Sequence, residues 1–264
     1  MSEVILRPKG SIDIMVEAEV INPDIFAGKT TSEIGEMIVW QGAKQLPLSG
    51  FFDVEGSAKS IAADTKIIIE GDVSRVKHIG HGMKAGEIVI EGSAGMHVGS
   101  EMIGGSILVK GNAGSWAGME MKGGTLHIIG NAGDHVGCAY RGSWRGMNGG
   151  KIIIDGNARS QLGGGMNGGE IHVCGNVENF AGIRMNSGLI VVKGDAIRGV
   201  GAQMAGGTFV VNGRIKQLSP GFELAGIEKN PKIDEMTLSG EFAKFTGDFV
   251  VSRTPKGILF AKGV

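Results

Sequence analysis

Three histidines, His78, His81 and His97, lie close enough in the chain to raise the question of a metal, with "HIGH" at 78–81 supplying two of them. A catalytic zinc takes three such ligands and leaves a fourth position open to water. A trigonal histidine set between stacked turns is one geometry built on six-residue sides, and the chain, with a period of 19 and no six-residue subdivision, does not support it. Cys138 and Cys174 stand 36 residues apart and form no Cys-x-x-Cys pair, which excludes a self-contained iron-sulfur or zinc-ribbon site. The acids nearest the apolar runs are Glu91, Asp134 and Asp155. Paired-carboxylate chemistry needs such groups clustered at a defined separation, but here acids alternate with Lys110 and Lys193 in one column. No Ser-His-Asp order, phosphate-binding loop or dinucleotide fingerprint occurs. The sequence therefore assigns this chain no catalytic, no cofactor-binding and no metal-binding residue.

What positions these residues is a repeat. The glycines closing each apolar run are Gly71, Gly92, Gly111, Gly130, Gly156, Gly175, Gly194 and Gly213. Their spacing is 19 residues, with an insertion of two before His81 and one of seven around "CAYRGSW". Met83, Met102, Met121, Met147, Met166, Met185 and Met204 stand nine residues before a closing glycine, each followed three residues later by another glycine. The shared thirteen-residue units occupy 80–92, 99–111, 118–130, 144–156, 163–175, 182–194 and 201–213. A short period with strand-like alternation and no helical periodicity predicts an all-β, right-handed parallel β-helix of about seven to eight turns. Glycine suits the corners, and unbranched Met fills the space inside them.

The side-chain period of two sorts each unit into columns. Ile88, Ile107, Leu126, Ile152, Ile171, Ile190 and Phe209 form one core column, and Ile90, Val109, Ile128, Ile154, Val173, Val192 and Val211 a second. Between them Val89, Leu108, His127, Ile153, His172, Val191 and Val210 point outward, and an apolar outward row predicts a covered face. Asn112, Asn131, Asn157 and Asn176 recur after closing glycines, predicting a ladder of amides bonded to one another about 4.8 Å apart. His97, Trp116 and His135, each five residues after a closing glycine, predict a stacked row that serves packing or a partner's footprint.

Gly accounts for 48 of 264 residues and Pro for 6, against an ordinary glycine share of about 7%, so the glycines serve an ordered backbone and not a disordered or collagenous one. A formal charge of −1 without long charge runs excludes nucleic acid and an anionic membrane as partners. No apolar stretch reaches 18 residues, and two unpaired cysteines suit a reducing, cytoplasmic setting. Segments 1–60 and 214–264 fall outside the repeat region at 61–213, and both read as caps or docking elements over otherwise unpaired edges. The first holds a strand-like "SIDIMVEAEV", a helix candidate after Asn22-Pro23 and "EMIVW"; the second holds a predicted hairpin "FVVSRTPKGILF".

The spacing Gly92-x-x-Gly95-x-x-x-Gly99, repeated from Gly111 and Gly130, resembles the glycine-repeat domain at the C-terminus of glutamate synthase large subunits. The thirteen-residue units together with "LSGFFDVEG" resemble more closely the C subunit of formylmethanofuran dehydrogenase. That resemblance implies a scaffold in a complex that reduces CO2 with methanofuran and reduced ferredoxin to N-formylmethanofuran, the first step of methanogenesis from CO2. It implies hydrolase-like, formate-dehydrogenase-like and ferredoxin-like partner subunits. Tungsten or molybdenum pterin, a dinuclear metal centre and iron-sulfur clusters would belong to those partners, with no cofactor in this chain. The C subunit of a methylotroph formyltransferase/hydrolase complex and a free-standing glutamate-synthase-like protein are the alternatives, and an enzyme working in a groove of the rod is a reading of another class.

Overall fold

The computed structural model describes residues 3–233 and 235–264; Met1 and Ser2 of the expected N-terminal segment and Asp234 of the C-terminal one lie outside them. The chain is predominantly strand. Along one sheet the strands Glu3–Pro8, Lys66–Ile69, Glu87–Ile90, Ser106–Val109, Thr125–Ile128, Asn148–Ile154, Asn167–Val173, Ser187–Val192, Thr208–Gln217 and Gly257–Gly263 lie parallel, each on the next. The register matches the sequence columns. Ile88 pairs with Ile107, Ile107 with Leu126, Leu126 with Ile152, and so on to Phe209. Both core columns are buried along their length. A second line of contact runs through Val73, Ala94, Ala113, Ala132, Ala158 and Val177, which form parallel bridges from one turn to the next.

The paired Met and Gly columns have one cause. The glycine three residues after each methionine has positive φ, and a Cβ built at Gly105, Gly124, Gly169, Gly188 or Gly207 would fall within 3 Å of the methyl of the methionine one turn earlier. Met83, Met102, Met147, Met166 and Met185 thus fill the hollow that the glycine leaves, and all five are fully buried.

The large sheet is mixed, not parallel throughout. At one end Phe52–Gly56 pairs antiparallel with Glu3–Pro8; at the other Glu241–Gly247 and Glu223–Lys229 add antiparallel strands beyond Gly257–Gly263. Another parallel turn requires a long crossover, whereas an antiparallel strand needs only a tight connection, so short flanking segments extend the sheet that way.

Three local expectations need adjustment. Of "SIDIMVEAEV" only Val16–Glu17 is strand, although the predicted helix does form at Pro23–Phe26, where Asn22 caps it by accepting the Asp24 N–H. The hairpin is displaced: its strands are Glu241–Gly247 and Gly257–Gly263, and "FVVSRTPK" is the connection. Buried Asp248 fixes that connection by accepting the N–H groups of Val250 and Gln203 at 2.8 Å each, leaving Val250 outside. The outward row, finally, is covered in part: Val89 is buried at its start, and the C-terminal segment covers its last two turns. Val191 and Val210 are buried with Leu238, Phe242 and Phe260, all from the C-terminal segment.

Candidate functional site: two long faces of the stack

The asparagine column lines the larger concavity, about 610 Å³, with Arg159, Glu178, Asp195 and Lys216 along it. Its chemistry differs from the predicted amide ladder. Each side-chain oxygen accepts the backbone N–H of the next residue in the column: Asn131 to Asn112 Oδ1, Asn157 to Asn131 Oδ1 and Asn176 to Asn157 Oδ1 at 2.8 Å, then Asp195 to Asn176 Oδ1 at 2.7 Å. One amide–amide bond accompanies them, from Asn157 Nδ2 to Asn131 Oδ1 at 3.2 Å. The turns are offset so that an acceptor faces the backbone. Asp195, which accepts from Arg214 N–H at 2.8 Å, can therefore stand in the column without an amide. A Cβ on Gly130 would come within 2.5 Å of Asn112 Oδ1, so the closing glycine makes room for the ladder.

The histidine column follows the asparagine column in each turn, four residues on from Asn112 to Trp116 and from Asn131 to His135. His78 and His97 stack with ring centroids 4.6 Å apart and planes 7° from parallel; His97 stacks on Trp116 at 5.4 Å, and Trp116 meets His135 edge-on at 4.7 Å. All four residues have φ near +60°, as do Gln161 and Phe180 below them. Non-glycine residues pay a conformational cost there, and stacking offsets part of it. One sequence signal could have revealed this backbone: the same register position in the last unit is Gly199. Burial pushes the pKa of His78, His97 and His135 down, His97 to about 4 with the neighbouring His78 charge as a further cause. The Nδ1 atoms of these three rings are buried without a partner among the described residues.

Stacked rings present their faces to one another instead of converging ring nitrogens, His81 Nδ1 is engaged with buried Ser100 Oγ at 2.9 Å, and no group of three or more His, Cys, Asp or Glu converges among the described residues. The acids are dispersed as well. Glu91 pairs with Lys110 at 2.6 Å, Asp155 with His127 at 2.9 Å, and Asp134 with Arg159 at 3.7 Å. Cys138 donates to the Gln161 carbonyl at 2.9 Å, and burial pushes its thiol up to about 11, which leaves it a poor nucleophile.

The seven-residue insertion stands over this corner. Trp116, His135, Cys138, Tyr140, Arg141 and Trp144 belong to the wall of a cleft of about 330 Å³. Sequence reasoning marks the insertion only as a break in the period and passes over Tyr140, Arg141, Trp144 and Arg184. Its composition, aromatic and arginine in a region of small residues, was the available signal.

No family model matches the chain. The C subunit of the molybdenum-containing formylmethanofuran dehydrogenase 1 of Methanosarcina barkeri is 68% identical over 98% of this chain and 86% of its own. The chain belongs to the C-subunit family of formylmethanofuran dehydrogenase. A second member of this family, from the tungsten-containing formylmethanofuran dehydrogenase 2 of Methanothermobacter thermautotrophicus, is 61% identical over 99% of this chain and 96% of its own. Among solved structures, the formyltransferase/hydrolase complex of Methylorubrum extorquens, determined with methylofuran, contains a chain with a TM-score of 0.84 and 28% identity, covering 97% of this chain and 98% of that one. The C-subunit family thus belongs with an oxidoreductase complex and shares its fold with a related multi-subunit assembly. No helix among the described residues is long and apolar enough to cross a membrane.

Proposed function

We propose that this chain is a non-catalytic scaffold within a cytoplasmic formylmethanofuran dehydrogenase complex, folded as a right-handed parallel β-helix with segments 1–60 and 214–264 as its caps. The complex reversibly reduces CO2 with methanofuran and reduced ferredoxin to N-formylmethanofuran. Hydrolase-like, formate-dehydrogenase-like and ferredoxin-like partners carry the dinuclear metal centre, the tungsten or molybdenum pterin and the iron-sulfur clusters. The observation that carries this reading is 68% identity, along nearly the whole chain, to a C subunit of that enzyme. Support for a scaffold role comes from the chemistry: the conspicuous acids are spent in ion pairs, the imidazoles are stacked, and the ladder oxygens bond backbone. A role in a formyltransferase/hydrolase complex is the second reading, favoured by the fold match, but at 28% identity it stands well behind.

Native purification of the chain with its complex, followed by mass spectrometry and a formylmethanofuran dehydrogenase assay, tests the proposal. Metal-containing partners should accompany the chain, and the isolated chain should show no turnover. Turnover by the isolated chain would overturn the scaffold role; partners that hydrolyse formyl groups without CO2 reduction would select the second reading.

A further inference from the structure

The stack repeats every 19 residues without help from the seven inserted ones, so the insertion serves something other than the core. Trp144 is 71% exposed and Tyr140 59% exposed. The segment is nevertheless held in place. Glu120 Oε1 accepts the Tyr140 N–H at 2.9 Å, the Tyr140 carbonyl accepts the Ser143 N–H at 2.9 Å, Ser143 Oγ accepts the Arg145 N–H at 3.2 Å, and Gly146 N–H bonds the Gly165 carbonyl of the next turn at 2.8 Å.

The cations on the stack divide into those that pair with an acid and those that do not, Arg198 over Phe180 at 5.6 Å among the second kind. Lys110, Lys122, Lys151 and Arg159 each pair with an acid from an adjacent turn. Arg141, Arg145 and Arg184 are exposed and make no ion pair among the described residues. Two of them lie over aromatic rings instead, Arg184 at 5.0 Å from the Trp144 centroid and Arg141 at 5.7 Å from that of Trp116. Arg184 is steadied further by donating its Nε–H to Gln203 Oε1 at 2.9 Å, a neutral acceptor. A guanidinium held on an indole keeps its charge and its terminal donors for another molecule. Exposed Trp, Tyr and Arg side chains on an anchored loop are also the residue types that dominate binding energy at protein interfaces.

We propose that Tyr140, Arg141, Trp144, Arg145 and Arg184 form a docking site for a partner subunit whose facing surface presents carboxylates around an apolar patch. The assignment rests on the scaffold reading and names one of the faces that scaffold would use. Three uncompensated positive charges select an acidic partner surface, and the two large exposed rings select one with apolar area to bury against them.

The test uses the whole complex, assembled with wild-type chain, with the double variant Trp144→Ala/Arg184→Gln, or with Ile103→Ala as a control at an exposed apolar residue of the repeat region. Native mass spectrometry across a salt series reads which partners remain bound, and circular dichroism reads the fold of each chain. The double variant should release one partner at least ten-fold more readily, at lower salt, with an unchanged melting curve, while Ile103→Ala matches wild type. Wild-type-like assembly of the double variant overturns the docking site and leaves the scaffold reading standing. Failure of the wild-type chain to bring down any partner overturns both. Intact assembly with loss of binding to a single-stranded RNA oligonucleotide or to inorganic phosphate would also overturn it, by giving the arginines another ligand.

Discussion

Substitution at Asn131 separates the observed ladder from an amide-to-amide one. Its Oδ1 accepts the Asn157 backbone N–H at 2.8 Å and Asn157 Nδ2 at 3.2 Å, so the oxygen and not the NH2 group of Asn131 makes the contacts to the next turn. Asn131→Ala removes both acceptor contacts and leaves a backbone N–H between turns without its partner. At about 0.5–1.5 kcal/mol per bond the loss should total roughly 2 kcal/mol. For a chain of this length that lowers the melting temperature by roughly 4–8 °C. Asn131→Asp keeps the oxygen and should remain within about 0.5 kcal/mol of wild type at neutral pH, as expected from Asp195 in the same column. Thermal and urea unfolding give the two stabilities, and hydrogen exchange at the Asn157 amide gives the local effect: faster in the Ala variant, unchanged in the Asp variant. If the Asp variant is as unstable as the Ala variant, the amide N–H groups carry the ladder and the reasoning fails.

Gly124→Ala should cost more than about 2 kcal/mol: φ is +79°, and the new Cβ would lie 2.7 Å from Met102 Cε and 2.8 Å from the Gly104 carbonyl carbon and the Gly105 oxygen, so shortening Met102 in a double variant should not restore stability. Between pH 6.5 and about 4 the unfolded chain binds a proton that folded His97 refuses, so its contribution to stability is intact above 6.5 and declines as the pH falls through that window. At about 1.4 kcal/mol per pH unit this would reach roughly 3 kcal/mol; solvent screening of the partly exposed ring, set among His78, His81, Lys77 and Glu17, brings it to about 1–2 kcal/mol. His97→Phe should flatten urea midpoints measured across that range, and an unaltered slope would rule His97 out. Phe242→Ala should destabilise by about 3–4 kcal/mol and expose Val191 and Val210, which dye binding and calorimetry would detect. Iodoacetamide at pH 8 should label half-buried Cys174 well before Cys138, and peptide mapping that found the reverse order would contradict the buried, raised-pKa thiol.

The period, the strand register and both core columns were legible in the sequence; the packing of a methionine against the glycine one turn later, seen at five positions, was not. A repeated unit must meet its copy in equivalent positions, so counting residues from one closing glycine to the next fixes which side chains lie over one another. The candidate site was less legible. Stacking of His97 on Trp116 followed from their shared offset, but the left-handed backbone beneath them did not, since only Gly199 hinted at it.

Tertiary structure alone decided where polar bonds went and what covered the sheet. Whether Asn131 Oδ1 meets an amide or a backbone N–H depends on an axial offset between turns, which residue spacing does not encode. Antiparallel closure at both ends, and the burial of Val191 and Val210 by residues from the C-terminal segment, arise from segments that carry no repeat. Periodic sequence fixes periodic structure because each turn has a copy of itself as neighbour; the flanks and the 139–145 loop have none, so their placement follows from surfaces that exist only once the stack has formed.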